Sequence, residues 1–444
     1  MTNTSPWGID DRYEDGLQKW HDVSVETKAA LLSAMGADES AAPPEPPLLI
    51  LNANSRARVA GDCEIELEDG TRLKANRSLP RDLPLGYHTL RMLDSEQEIR
   101  LIVSPGKCYL RERFRTWGWS LQLYALRSQA SWGIGDLEDL RRISTWSADV
   151  LSAGVIMSNP IGAPAPGVPQ QPSPYFPSSR LFRNPLYLRI EEIPAARTPA
   201  PDLEQLAAQG RALNKLPVID RDAIYHLKLR ALEEIWARTR EKIDRSSYEQ
   251  EQGRNLDLFA AFSVLAEQHG TAWRNWPAGY RHPDSIEIAK FSREFEDRIR
   301  FHKWVQSLID SQLARLSNRP MLVQDLPIGV DPDGFDAWLW QDVFAKDVSV
   351  GAPPDPFSAN GQNWGLPPFV PHKLRAAAYD PFIQTVRTAM RYSAGLRIDH
   401  VMGLFRLFWI PNRASGQGGA YVRYNADELL SILALESARA EAFV

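Results

Sequence analysis

Hydrophobic and polar positions change their period several times along this chain. Over residues 7 to 36 apolar side chains recur at helical spacing, with Val25, Ala29, Leu32 and Met35 on one face and Gly36 as a stop. A Pro/Ala-rich linker, Ser40 to Pro47, follows. From Leu48 to Val103 the period becomes two. Cys63, Ile65 and Leu67 alternate with glutamates, Asp69-Gly70 supplies a hairpin turn, and the segments Tyr87 to Leu93 and Glu98 to Val103 predict a second hairpin. That pattern is a small antiparallel β domain of sandwich type, ending near Gly106.

Beyond about Arg115 strands and helices alternate. An apolar strand, Trp119 to Leu126, leads through a loop to a helix that Gly135-Asp136 opens as N-cap and that runs to about Ser152. Val155 to Met157 is the next short strand, so the unit is β-α-β, with parallel strands and a right-handed crossover. After a proline-rich loop comes a mostly helical stretch from about Asp202 to Leu316, its last helix carrying Phe301, Trp304, Val305, Leu308 and Leu313 on one repeat. The β-α pattern resumes with a strand at Met321 to Leu326, a helix near Pro381 to Arg391 and a strand at Ala394 to Ile398. A final helix spans Ala426 to about Ala440, and Phe443-Val444 is the expected start of another buried strand. Four parallel strands and the start of a fifth make about half of a closed (β/α)8 barrel. No internal repeat supplies the rest. The predicted organisation is thus a helical segment at 1–42, a β-sandwich accessory domain at 43–112 and a partial barrel at 113–444 with a helical insertion at about 200–318.

Composition narrows the functional classes. The 444 residues carry 51 Lys and Arg against 56 Asp and Glu, a net charge of −5 without the basic stripe that nucleic-acid backbones require. No apolar run approaches the ~18–20 residues of a membrane span. Two cysteines, Cys63 and Cys108, show neither a disulfide framework nor metal-ligand spacing, and the N-terminus lacks the basic and apolar regions of a signal peptide. A cytoplasmic chain without metal is expected. Fourteen tryptophans are many; they serve either as extra core or as platforms for flat ligand faces such as sugar rings.

In barrel enzymes chemistry sits in the loops at the C-terminal ends of the strands. Those positions here hold Ser131-Trp-Gly-Ile-Gly-Asp136, Gln170-Gln-Pro-Ser-Pro-Tyr-Phe176, Asp325-Leu-Pro-Ile328, Asp333, the run Gly351 to Gly365, and Arg397-Ile-Asp399-His400. An arginine two residues before a strand-end carboxylate lies on the same strand face. A guanidinium so placed holds a carboxylate ionised and oriented, which suits a nucleophile or an electrostatic stabiliser, and equally suits a structural ion pair. Gly133, Gly135 and Asp136 fit a plain helix-entry turn, and His226, His269 and His302 fall on helices without metal-like clustering.

Taken together, Ser131-Trp-Gly-Ile-Gly-Asp136, Ser173-Pro-Tyr175, Arg183-Asn-Pro-Leu-Tyr187, Asp325-Leu-Pro-Ile328, Gly351-Ala-Pro-Pro-Asp355, Gly361-Gln-Asn-Trp-Gly365 and Arg397-Ile-Asp-His400 resemble the amylomaltase or 4-α-glucanotransferase family, from about Trp117 to the last residue. The region before it, with Leu83-Pro-Leu-Gly-Tyr-His88, looks like the accessory β domain of the longer bacterial members. The resemblance implies a cofactor-free, retaining enzyme on a (β/α)8 TIM barrel, an α/β fold. It would transfer α-1,4-glucan segments (maltooligosaccharides, starch- or glycogen-derived dextrins) to the 4-hydroxyl of an acceptor. It implies Asp399 as nucleophile, Arg397 as its orienting partner, Ser173 and Tyr175 as donor-sugar contacts, and Asp355 and Trp364 in a loop over the glucan. Asp325, Asp333 and His400 are further substrate-binding candidates. Pro356 departs from the family's Asp-Tyr-Phe-Ser run, which puts one aromatic contact in question.

Retaining transfer needs a second carboxyl as acid and base. The resemblance places it in a fifth-strand glutamate, past Val444, so the chain is expected to be an N-terminal fragment, inactive and poorly soluble alone. Glu428, Glu436 and Glu441 lie on or next to the final helix and are not expected to substitute. An α-glucan hydrolase and a non-catalytic glucan-binding protein stay open as alternatives.

Overall fold

The computed structural model describes residues 4–444 except 39, 96, 198–199, 243–245, 317–318 and 413–417. The first elements are a hairpin, β1 (Arg12–Glu14) with β2 (Trp20–Asp22), and a helix, α1 (Val25–Met35). The helix expected over residues 7 to 36 is therefore only its second half. Asp15 is the reason: its carboxylate accepts the amides of Leu17 and Lys19 at 2.8 and 2.9 Å and closes a turn that a helix would break. Ser24 caps α1 through the Thr27 amide, and Gly36, at φ 67°, ends it.

Five strands follow: β3 (Leu48–Asn52), β4 (Arg58–Glu66), β5 (Arg72–Ser78), β6 (Gly86–Met92) and β7 (Glu98–Ser104). They form one sheet of order β3-β7-β6-β4-β5, antiparallel except for the parallel pair β3 and β7. The period-two alternation puts Cys63, Ile65, Leu90 and Leu101 on the fully buried face. Gly70, at φ +85°, makes the predicted turn between β4 and β5.

Next come β8 (Gly118–Leu121), α2 (Leu137–Leu151), β9 (Val155–Ser158), β10 (Gly162–Ala163) and β11 (Ser179–Arg183). The helical stretch is α3 (Pro201–Ala212), α4 (Arg221–Thr239), α5 (Ser246–His269), α6 (Ile286–Glu294) and α7 (Glu296–Ala314); residues 243–245 of that prediction lie outside the described residues. The chain then forms β12 (Met321–Leu326), α8 (Phe335–Leu339), β13 (Val348–Ala352), β14 (Gln362–Leu366), α9 (Pro371–Ala376), α10 (Asp380–Met390), β15 (Gly395–Ile398), β16 (Arg406–Pro411), β17 (Ala420–Arg423) and α11 (Ala426–Ala440). The strand expected at 119 to 126 stops at Leu121. There the Asn159 side chain accepts the Leu123 amide at 2.6 Å and the backbone tightens into a 3-10 turn.

By internal contacts the chain divides into two compact units. One comprises Arg115–Leu339 and Tyr392–Asp399. Its centre is the parallel sheet β8-β9-β12-β15, the four strands predicted, in sequence order across the sheet. Helices α2, α3, α4 and α7 bury Leu140, Leu206, Ile224, Ala231, Phe301, Trp304 and Ile309 in one cluster with Ile156 and Leu322 of the strands.

The other unit comprises Met1–Phe114, Trp340–Arg391 and His400–Val444. It holds the β3–β7 sheet and an antiparallel sheet β14-β13-β16-β17 that the sequence reading did not anticipate. The latter packs Val348, Phe408, Trp409, Ile410 and Val422 with Ile9, Leu31 and Met35. Helix α11 is tied to the β domain: the Ser104 hydroxyl donates to Ser431 O at 2.8 Å, and the Tyr87 hydroxyl donates to Glu436 at 2.8 Å. Arg387 donates to the same carboxylate at 2.9 and 3.0 Å.

Of the fourteen tryptophans eight are buried, among them Trp132, Trp276, Trp338 and Trp409 at 1% exposure or less. For these the core reading holds.

Candidate active site

Parallel pairing puts Asp325 of β12 directly opposite Arg397 of β15. Period-two geometry puts Asp399 on the same face as Arg397, and the Asp399 amide extends the ladder by donating to Leu326 O at 3.2 Å. The guanidinium uses both relations. Its Nη1 donates to the two oxygens of Asp325 at 2.6 Å each, and its Nη2 donates to Asp399 Oδ1 at 2.8 Å. Hydrogen bonding to Asp325 raises the Arg397 pKa above its ordinary value. The Asp325 side chain is 2% exposed and that of Asp399 is 20% exposed, so the anchor is buried and the strand-end carboxylate is partly open to solvent.

The loop after β10 supplies the next member. The Tyr175 hydroxyl donates to Asp325 Oδ2 at 2.8 Å; burial first, and then this bond, push the phenol up to about 12, so it stays a donor throughout the neutral range. Ser173, two residues earlier, accepts the Tyr175 amide at 3.3 Å and is exposed. It lines a depression with Asn184, Tyr187 and Arg221, which brings the Arg183 to Tyr187 motif beside the Ser173 to Tyr175 motif.

Two expected sugar contacts are engaged within the protein. Asp325 is occupied by Arg397 and Tyr175, which makes it the anchor of both. Asp333 accepts Arg274 Nη1 at 2.6 Å, a partner from the helical insertion that sequence reasoning missed, since no local pattern links the two. Neighbouring Asp331 accepts the Asp333 amide, and burial raises its carboxyl to about 6.

Asp355, Trp364 and His400 belong to the other unit. Trp364 on β14 lies against the His400 ring, centroids 4.4 Å apart and planes at 33°. His400 follows Asp399 directly and adopts the left-handed region at φ 49°, which turns the chain sharply at the end of β15. Asp355 folds its own loop, Oδ1 accepting the amides of Phe357 and Ser358 at 2.8 and 2.6 Å, while Phe357 stands 99% exposed.

The Ser131 to Asp136 motif is structural. Asp136 caps α2 by accepting the amides of Glu138 and Asp139, and both Asp136 and Asp139 accept Arg189 at 2.5 and 2.8 Å. A Cβ on Gly135 would lie 2.0 Å from Leu123 O, so only glycine fits. Among the described residues no three His, Cys, Asp or Glu side chains are grouped to hold a metal, Cys63 and Cys108 are free thiols, and no helix is long and apolar enough to cross a membrane.

Comparisons with known proteins agree in direction. A family model described as 4-alpha-glucanotransferase matches residues 121–444, and one described as MalQ N-terminal beta sandwich domain matches residues 46–105. The chain is similar to the 4-alpha-glucanotransferase of Mycobacterium tuberculosis, 36% identical, with 99% of this chain and 70% of that protein covered. With that of Haemophilus influenzae it shares 36% identity over 83% of this chain and 57% of that protein. Among solved structures it is similar to the amylomaltase from Corynebacterium glutamicum, with TM-score 0.82 and 30% identity over 99% of this chain and 70% of that one. An amylomaltase from Streptococcus agalactiae in complex with acarbose shares the fold, with TM-score 0.60 and 19% identity over 72% of this chain and 66% of that one.

Proposed function

We propose, from the premise that this chain belongs to the 4-alpha-glucanotransferase family, that Asp399 is the nucleophile of an α-1,4-glucan transfer and that Arg397 is its positioning partner. The observation that carries this reading is the single guanidinium shared between a buried carboxylate, Asp325, and a partly exposed one, Asp399. The Asp399 carboxylate attacks the anomeric carbon, the glycosidic bond breaks, and the leaving oxygen takes a proton from a second carboxyl group. The 4-hydroxyl of an acceptor glucan then attacks the glucosyl-enzyme, returns its proton to that group, and frees Asp399. Asp325 and Tyr175 hold Arg397 in place from below. The family resemblance carries Ser173 and Asp333 forward as sugar contacts, Asp333 also pairing with Arg274, and His400, Asp355 and Trp364 as glucan contacts of the other unit.

Glu428 and Glu436 take no part in the proton transfer. Glu436 is tied to Tyr87 and Arg387, and Glu428 to Arg375 and Tyr379, pairings that keep both carboxylates committed to packing α11. The β domain at 43–112 is accordingly an accessory to the barrel segment rather than a source of catalytic groups.

Incubation with maltotriose of an enzyme that carries this chain together with the second carboxyl tests the reading. Transfer yields glucose together with a ladder of longer glucans, and Asp399→Asn removes both. A net rise in reducing ends without the ladder would make the protein an α-glucan hydrolase, and glucan binding without turnover would make it a binding protein.

A further inference from the structure

The loop that carries Asp355 is held from outside by the N-terminal hairpin. The Gly16 amide, at the tip between β1 and β2, donates to Pro354 O at 2.8 Å. A Cβ at Gly16 would stand 2.8 Å from Asp355 Cβ, 3.0 Å from Asp355 Cα and 3.2 Å from Pro354 O, so backbone meets backbone in a gap that only glycine leaves open.

The tip itself is stiff. Asp15 accepts the amides of Leu17 and Lys19 with one carboxylate oxygen and pairs with His21 Nε2 through the other at 2.7 Å, while its own amide donates to Lys19 O at 2.9 Å. Behind the tip, Tyr13 is 3% exposed, stacks on His21 at 5.1 Å and meets Phe408 of β16 edge-on at 5.0 Å. Strand β16 pairs with β13, from which the Asp355 loop departs. The hairpin therefore rests on the sheet at one point and on the loop at the other. Among the described residues, the loop's remaining hydrogen bonds are its own: Asp355 and Ser358 exchange backbone hydrogen bonds, and the Ser358 hydroxyl donates to Gly361 O at 2.8 Å.

We propose that Gly16 is a positioning residue for glucan binding: the N-terminal hairpin sets the place of Asp355, and through it the affinity for longer α-1,4-glucans. This inference rests on the reading of Asp355 as a glucan contact, given above. A loop closed only on itself would sample several positions, and each bound glucan would then have to select one. A brace at its base removes that selection and leaves Asp355 pre-placed.

The test is maltoheptaose binding by isothermal titration calorimetry, with thermal unfolding as the fold control. Gly16→Ala is expected to weaken binding about fivefold with a midpoint within about 2 °C of wild type, while Lys19→Ala, at an exposed side chain of the same turn, leaves affinity unchanged. Asp15→Ala loosens the tip without adding bulk and is expected to weaken binding in the same direction, which covers the case in which Gly16→Ala does not fold. In an Asp355→Ala background, Gly16→Ala is expected to add less than about twofold, because its effect runs through that carboxylate; a merely structural glycine would act equally in both backgrounds. Wild-type affinity in both Gly16→Ala and Asp15→Ala, alongside weakened binding in Asp355→Ala, overturns the brace and leaves the glucan reading standing. Wild-type affinity in Asp355→Ala overturns the glucan reading of the loop, and the brace with it.

Discussion

Arg397 and Asp325 stand opposite each other on neighbouring parallel strands, 72 positions apart in sequence, and the guanidinium that spans them also holds Asp399. Two hydrogen bonds from one nitrogen, Nη1, to a buried carboxylate anchor one arm of the guanidinium. The third, from its other nitrogen, then fixes where the Asp399 oxygen points. A lysine in that position keeps the charge and loses the fork. In an enzyme that carries the second carboxyl as well, Arg397→Lys is therefore expected to lower kcat for maltotriose disproportionation roughly 100-fold with KM changed much less, since misplacing a reacting atom costs rate before it costs binding. A kcat within threefold of wild type would remove Arg397 from the positioning role.

Tyr175 acts one step further back. Its hydroxyl is a neutral donor to a carboxylate that is 2% exposed, and such a bond contributes about 1.5–3 kcal/mol. Tyr175→Phe is expected to lower kcat roughly 10- to 100-fold. Because the phenol is pushed up to about 12, the basic limb of the pH–rate profile should keep its midpoint in the variant. A basic limb that moves with this substitution would mean that Tyr175 itself titrates in the reaction.

The parts of the molecule that the sequence made legible are those whose signals are local. Strand β12 opens on the apolar run Met321-Leu-Val323 and carries Asp325 near its end, α11 is bounded by a capping Asn425 and a change of period, and Arg397 and Asp399 show their shared face by spacing alone. The β14-β13-β16-β17 sheet was not legible, because β14 reads Gln-Asn-Trp-Gly-Leu, polar and largely exposed, and because Val348 finds its partner only at Pro411. The hairpin at Arg12–Asp22 shares its apolar spacing with a helix, and the deciding group is a side chain, Asp15, that bonds its own backbone. At the site, Asp399 and its partner Arg397 could be named, and the anchor of that arginine could not. That Asp325 serves Arg397 follows from strand register, which one sequence does not carry.

The buried pairing of Arg189 with Asp136 and Asp139 fixes the start of α2 against the loop before the helical insertion. All three side chains are 4% exposed or less, so removing the cation strands two carboxylates where water cannot reach them. Arg189→Met is expected to cost about 3–5 kcal/mol and to lower the unfolding midpoint by several degrees. Adding Asp136→Asn and Asp139→Asn to the same protein should recover part of that loss by discharging the site. Calorimetric scans of the single and triple variants check both steps; a triple variant less stable than Arg189→Met would show that the capping bonds of Asp136 outweigh its charge.

Glu267 in the helical insertion should set part of the acid limb of stability. Burial pushes its carboxyl up, but hydrogen bonds from His302 at 3.0 Å and from Arg298 at 2.6 and 2.8 Å outweigh burial and bring it down to about 2 from the usual 4.5. A carboxyl whose folded pKa lies below its unfolded one contributes stability that is fully present above the unfolded value and is lost as pH falls through the folded one. The window is thus pH 4.5 down to 2, and the shift corresponds to roughly 3 kcal/mol. Glu267→Gln keeps the shape and loses the charge. Urea unfolding of wild type and variant between pH 2 and 7 should show their stabilities furthest apart above pH 5 and converging as the pH approaches 2. Curves that stay parallel over that range would mean that the pairing with Arg298 and His302 does not survive in solution.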